Sequence, residues 1–147
     1  MQINMDYTFT PFRFLQDGYS QTVGALFWPQ IKNVPGPFTR HEVSIEPYGH
    51  LSVVENRPPT WTPGKRIALL IHGLTGSENS THSIRMTSAL LRQNVLCIRM
   101  NMRGCGPGFG LASGLYHSGR SEDVLAVVRW IETHFKIIFC RIGKQHQ

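Results

Sequence analysis

The chain has 147 residues, 41% of them apolar and 16% charged, with a formal net charge of +6. That length and apolar share suit a single core and exclude a disordered chain. Its basic residues are scattered, from Arg13 and Arg40 through Lys65, Arg85, Arg99, Arg103 and Arg120 to a loose terminal group of Lys136, Arg141 and Lys144. The positive balance therefore reads as ordinary surface charge and gives no case for a nucleic-acid partner.

Taken in chain order, the first stretch is rich in aromatics and punctuated by Pro11, Gly18, Gly24, Pro29, Pro35 and Pro37. It predicts an N-terminal arm over residues 1–38 that wraps irregularly and lacks long regular elements. Residues 39–147 read as the domain proper. His41 to Glu46 and His50 to Glu55 alternate apolar and polar residues on either side of Pro47-Tyr48-Gly49, which predicts a β-hairpin. Arg57 to Lys65, with three prolines, reads as a stiff loop. Arg66 to Ile71 is a continuous aliphatic run, as expected of a parallel strand buried on both faces. Asn79 or Ser80 can cap a helix running to about Gln93, and Val95 to Met100 reads as a second buried strand. A glycine-rich loop spans Arg103 to Gly119. Ser121 can cap a further helix, with Glu122 and Asp123 favourably placed against its dipole. Val124, Val127, Val128, Ile131 and Phe135 form one core-facing stripe on it. Ile137 to Cys140 opens a third parallel strand. Strand, helix, strand, helix, strand after a hairpin is an α/β pattern with right-handed crossovers.

Several features carry no chemistry. The segment Arg103 to Gly110 follows a strand but matches neither G-x-G-x-x-G nor the Walker pattern, so it reads as a loop. Cys105 reads as a packed small residue. Seven histidines include no H-x-x-x-H or H-E-x-x-H pair, so neither metal nor cofactor is expected. Phe9, Phe12, Phe14, Phe27 and Trp28 could line an apolar pocket and read better as core, as does Trp130. Cys97, Cys105 and Cys140 are odd in number without C-x-x-C spacing and suit reduced thiols. The first residues lack the basic and apolar regions of a signal peptide, and Ile67 to Ile71 is far short of the roughly 20 residues of a membrane helix. A cytoplasmic location is expected.

Four segments share a pattern. They are Gly18-Tyr19-Ser20-Gln21-Thr22, His72-Gly73-Leu74-Thr75-Gly76-Ser77, Asn101-Met102-Arg103-Gly104-Cys105, and Tyr116-His117-Ser118-Gly119 followed by Glu122-Asp123. Together they resemble the first half of an α/β-hydrolase of the YheT-like branch, a group of esterases and lipases. Two departures stand out: tyrosine replaces a histidine at position 19, and Pro47-Tyr48-Gly49-His50 replaces an Asp-Gly-Asp type turn. The resemblance implies an incomplete α/β-hydrolase fold acting on small-molecule carboxylic esters. In such a fold backbone N–H groups stabilise the oxyanion formed on ester attack. The resemblance makes the Leu74 N–H one donor, with His72 and Gly73 shaping the turn.

The nucleophile of that fold sits in a G-x-S-x-G elbow, and no such motif occurs in the sequence. Aligning Ile142-Gly143 with an elbow puts Gln145 where the serine belongs and Gln147 where the second glycine belongs. The triad acid and histidine follow the serine in this fold, so Asp123, His117 and His134 are excluded from it. No catalytic residue is therefore assigned, and the chain alone is expected to be inactive. The basic tail after a strand-like Ile-Ile-Phe-Cys suggests a frameshift or an early stop. An exposed apolar sheet edge is expected to favour self-association. Two alternatives stand beside this reading: a non-catalytic binding module of the same fold, or a half enzyme completed by a separate C-terminal half.

Overall fold

The computed structural model describes residues 10–27, 33–117 and 119–136. They fall into two compact units divided between residues 30 and 31. Among the described residues the first unit contains one helix, α1 (Gly18–Phe27). Asp17 caps it, its carboxylate accepting the Ser20 N–H at 2.8 Å. This helix corrects the expectation of an irregular arm. The proline and glycine punctuation misleads because Gly18 and Gly24 lie inside a helix that Asp17 has already started. That capping bond holds the Asp17 carboxyl below its ordinary value. Phe12 and Phe14, expected as core, are 70% and 88% exposed. Phe9 and Trp28, and the side chain of Phe27, lie outside the described residues.

In the second unit β1 (Thr39–Ser44) and β2 (His50–Asn56) form the expected hairpin, with His41 opposite Val53. After the proline loop come β3 (Ile67–Ile71), α2 (Thr81–Arg92), β4 (Leu96–Met100), a single 3-10 turn at Gly106–Gly108, and α3 (Ser121–Phe135). The sheet order is β1-β2-β4-β3. β2 and β4 are antiparallel, while β3 and β4 are parallel, with Leu69 beside Ile98. The helix between β3 and β4 makes the crossover that parallel neighbours need. Ile137 to Cys140, expected as a third parallel strand, lies outside the described residues.

Side chains alternate across a strand, so the register divides the sheet into two faces. One carries Val43, Leu51, Val53, Leu96, Ile98 and Met100, all buried in one cluster with Val127, Ile131 and Phe135 of α3. The predicted stripe on α3 therefore faces this apolar side. The other face carries Arg40, Ser52, Val54, Asn56, Cys97 and Arg99, and α2 packs there against β4. Burial pushes the Cys97 thiol up to about 11, which leaves it unreactive. β3 departs from expectation: among the described residues it pairs only with β4, and its side chains are half-buried or, at Ile71, exposed. Among the described residues no helix is long and apolar enough to cross a membrane.

The loop from β4 to α3 is fastened by one buried ion pair. Arg103 donates to both carboxylate oxygens of Asp123, at 2.7 and 2.6 Å, and to the Ser113 carbonyl at 2.9 Å. The Tyr48 ring lies 4.5 Å from its guanidinium. Both side chains of the pair are 1% exposed. Asp123 thus serves Arg103, and Arg120 occupies the N-cap position expected for Ser121. Truncating one partner of such a pair leaves a buried charge uncompensated. Asp123→Ala should therefore lower stability by about 3–5 kcal/mol in urea titrations, and replacing both residues by apolar ones should recover much of the loss. A single-variant loss below about 1 kcal/mol, the range of exposed pairs, would contradict this.

Candidate functional site

The strand β3 delivers the chain into a tight turn at its carboxyl end. The Gly73 carbonyl accepts the Gly76 N–H at 3.0 Å, closing a β-turn with Leu74 and Thr75 at its centre. Thr75 has φ +59°, the left-handed conformation that a branched side chain rarely adopts. At the first central position, the Leu74 N–H takes no part in the turn's hydrogen bond, and its side chain is 79% exposed. His72 is buried beneath. Its Nδ1 donates to the Gly73 carbonyl at 2.8 Å, so Nε2 is left to accept the Met102 N–H at 3.1 Å. One imidazole therefore ties the turn after β3 to the loop after β4.

The two glycines of the turn have different surroundings. A Cβ on Gly73 would meet no atom of the described residues within 4 Å. A Cβ on Gly76 would lie 2.7 Å from Ser80 Oγ and 3.0 Å from the Gly73 carbonyl. The steric demand of the turn falls on Gly76, and Gly73 leaves an open face beside Leu74. Ser80 occupies the predicted N-cap position of α2, but its hydroxyl turns back to accept the Ser77 N–H at 2.9 Å. Across the gap, Gly106 (φ +50°) allows close approach: a Cβ there would lie 2.9 Å from Ser77 Cβ.

Behind the turn lies a buried polar network centred on Glu78. Arg40 of β1 grips its carboxylate with two N–H donors, at 2.6 and 2.8 Å, and donates to Ser52 Oγ at 2.8 Å. Asn101 accepts the Glu78 N–H at 2.9 Å and donates to both the Glu78 carboxylate and the Ser52 carbonyl. Arg99 donates to the Glu78 carbonyl at 2.8 Å and to Asn56 Oδ1 at 3.1 Å. Burial alone would raise the Glu78 carboxyl, but the bonds from Arg40 and Asn101 and the charges of Arg40 and Arg99 outweigh it and hold it below 4.5. Burial correspondingly lowers Arg99, while the Glu78 bond raises Arg40. Of this network only Asn101 belongs to the four segments that carry the family resemblance. The signal for Arg99 was visible, as a charge in the middle of an aliphatic strand.

The remaining candidates separate from the turn. Cys105 is half-buried against the core, and burial raises its thiol. His117 is exposed, and Ser118 together with 137–147, including Gln145 and Gln147, lies outside the described residues. His134 stands at the far end of α3, stacked on Trp130.

No protein-family model matches the chain. It is similar to the proposed esterase YheT of Escherichia coli (strain K12), 30% identical over 128 residues. That match covers 86% of this chain and 37% of the relative, so the chain spans little more than a third of the curated relative's length. Among solved structures it resembles XC6422 from Xanthomonas campestris, described as an α/β serine hydrolase without a lid, at TM-score 0.57 and 23% identity. That likeness covers 71% of this chain and 48% of the other. The esterase Pf2001 of Pyrococcus furiosus matches at TM-score 0.53 and 22% identity, over 68% of this chain and 37% of that one. At these identities the structural likeness is one of fold.

Two outcomes follow from the turn and its support. Gly73→Ala should leave thermal stability unchanged and Gly76→Ala should lower it, while Thr75→Gly should raise it by about 1 kcal/mol through release of strain. A Gly73→Ala variant less stable than Gly76→Ala would contradict this assignment of the turn's steric limits. The second outcome concerns acid. Glu78 holds its proton less tightly folded than unfolded, so its contribution is present above its ordinary value of 4.5 and is lost as the pH falls through the lowered one. Urea titrations should show the fall in stability on acidification to be shallower in Glu78→Gln than in the unaltered chain, and an identical acid limb would refute the role of its charge.

Proposed function

We propose that this chain, a member of the α/β-hydrolase superfamily similar to its YheT-like branch, supplies the oxyanion half of a carboxylic-ester hydrolase. The observation that carries this is the geometry of the turn after β3. The Leu74 N–H lies outside the turn's own bond, the bare Cα of Gly73 stands beside it, and His72 fixes both from below. A backbone donor held still in this way can donate to the oxyanion that develops on an ester carbonyl and stabilise it, without reorganising as the reaction proceeds.

In the complete site a serine is acylated, the tetrahedral intermediate rests its oxyanion on the Leu74 N–H and a second donor, and water releases the acid. The sequence contains no G-x-S-x-G, so the nucleophile and its partners come from residues other than these. The outer edge of β3 is the natural place for the strand that brings them, and in the chain by itself the same edge would favour self-association. Unpaired Cys97 and Cys105 suit a cytoplasmic setting.

Proline tests the donor cleanly, because it favours the first central position of such a turn and has no N–H. Residues 31–136 would replace the matching part of a YheT-like relative, and hydrolysis of p-nitrophenyl esters would be followed. The chimera should turn over, and Leu74→Pro should lower kcat about 10²–10³-fold with its thermal midpoint unchanged. An active chimera whose Leu74→Pro variant keeps full kcat would overturn the oxyanion assignment.

A further inference from the structure

We propose that His41, Glu55 and His134 form a binding site for a divalent transition ion, zinc being the best chemical match. The site would clip the last turn of α3 to the β1–β2 hairpin. It lies on the apolar face of the sheet and is separate from the turn after β3. Each residue offers one ligand atom, and the three atoms lie within 4.8 Å of one another. Two imidazoles and one carboxylate form a common protein ligand set for zinc, leaving a fourth position for water.

The register explains how they meet. His41 and Glu55 share a face of the hairpin, and His41 Nε2 lies 2.9 Å from Glu55 Oε2. Two atoms bound tetrahedrally at about 2.0–2.1 Å from zinc stand about 3.3 Å apart, so this pair has to open by only a few tenths of an ångström. The ion would take the lone pair of Nε2, and the ring's single proton would sit on Nδ1. Glu55 is buried, and its other oxygen accepts from Arg57 Nε at 2.7 Å. That bond orients the carboxylate so that Oε2 is presented singly. Arg57 also brings a positive charge, which places the site among the weaker ones.

His134 supplies the adjustable ligand. It is exposed, its ring stacks on Trp130 with centroids 4.7 Å apart, and it meets the His41 ring edge-on at 5.1 Å. A rotation of this exposed side chain closes the remaining distance. The three groups line an open hollow together with Pro37, Thr39 and Arg57, which gives an ion a path from solvent. Sequence spacing could not reveal the set, because its two histidines come from β1 and α3.

The test uses the full chain, stripped with a chelator and titrated with Co²⁺, whose visible bands report four-coordinate geometry, then with Zn²⁺ in competition. One equivalent should bind with tetrahedral-type bands, and Zn²⁺ should displace it and raise the thermal midpoint. His134→Ala, an exposed change that leaves the core intact, and His41→Ala should each weaken binding about tenfold or more, while His117→Ala should not. Absence of saturable binding would overturn the proposal. So would affinity unchanged in His134→Ala, because the ion would then sit elsewhere.

Discussion

The buried carboxylate of Glu78 is the constraint on which the rest of the site depends. A lone charge is costly to bury, so this one requires donors on every side. Arg40 in β1 and Asn101 just beyond β4 donate to it, and Arg99 in β4 adds its charge nearby while donating to the Glu78 backbone carbonyl. Meeting that requirement fixes the segment from His72 to Ser80 against the carboxyl end of the sheet. His72 adds a second tie through the Met102 N–H, and Gly106 lets the two loops touch. The Leu74 backbone is thus held by groups that never reach it.

The same division of labour runs through the whole second unit. One face of the sheet is apolar and packs α3 through Val127, Ile131 and Phe135, and it supplies bulk hydrophobic stabilisation. The other face sets Arg40, Ser52, Asn56 and Arg99 around the buried Val54 and Cys97, and these polar groups contribute geometry more than cohesion. Arg103 and Asp123 repeat the device for the loop between β4 and α3. Polar groups that satisfy one another in a dry interior specify one arrangement of loops, because any slip leaves a charge unpaired.

Much of the fold was legible in the sequence because it rests on local signals. Period-two alternation gave the hairpin, aliphatic runs gave β3 and β4, and the stripe from Val124 to Phe135 gave α3 and its buried side. Where the reading failed, a local signal had been outweighed. Glycine and proline counts argued against α1, yet Asp17 is enough to start it. The Glu78 network was not legible, since its members are separated by tens of residues and meet only through the β1-β2-β4 register. The same holds for His41 and His134.

The most direct measurement is amide hydrogen exchange, residue by residue, in the unaltered chain and in Glu78→Ala. The Glu78 N–H bonds to Asn101 Oδ1 and the Met102 N–H to His72 Nε2, so each reports one tie of the turn. If the network holds the turn, both amides should lose protection together in the variant, while interior sheet amides such as Ile98 keep more of theirs. Unchanged protection at Glu78 and Met102 would show that the turn stands without the buried carboxylate.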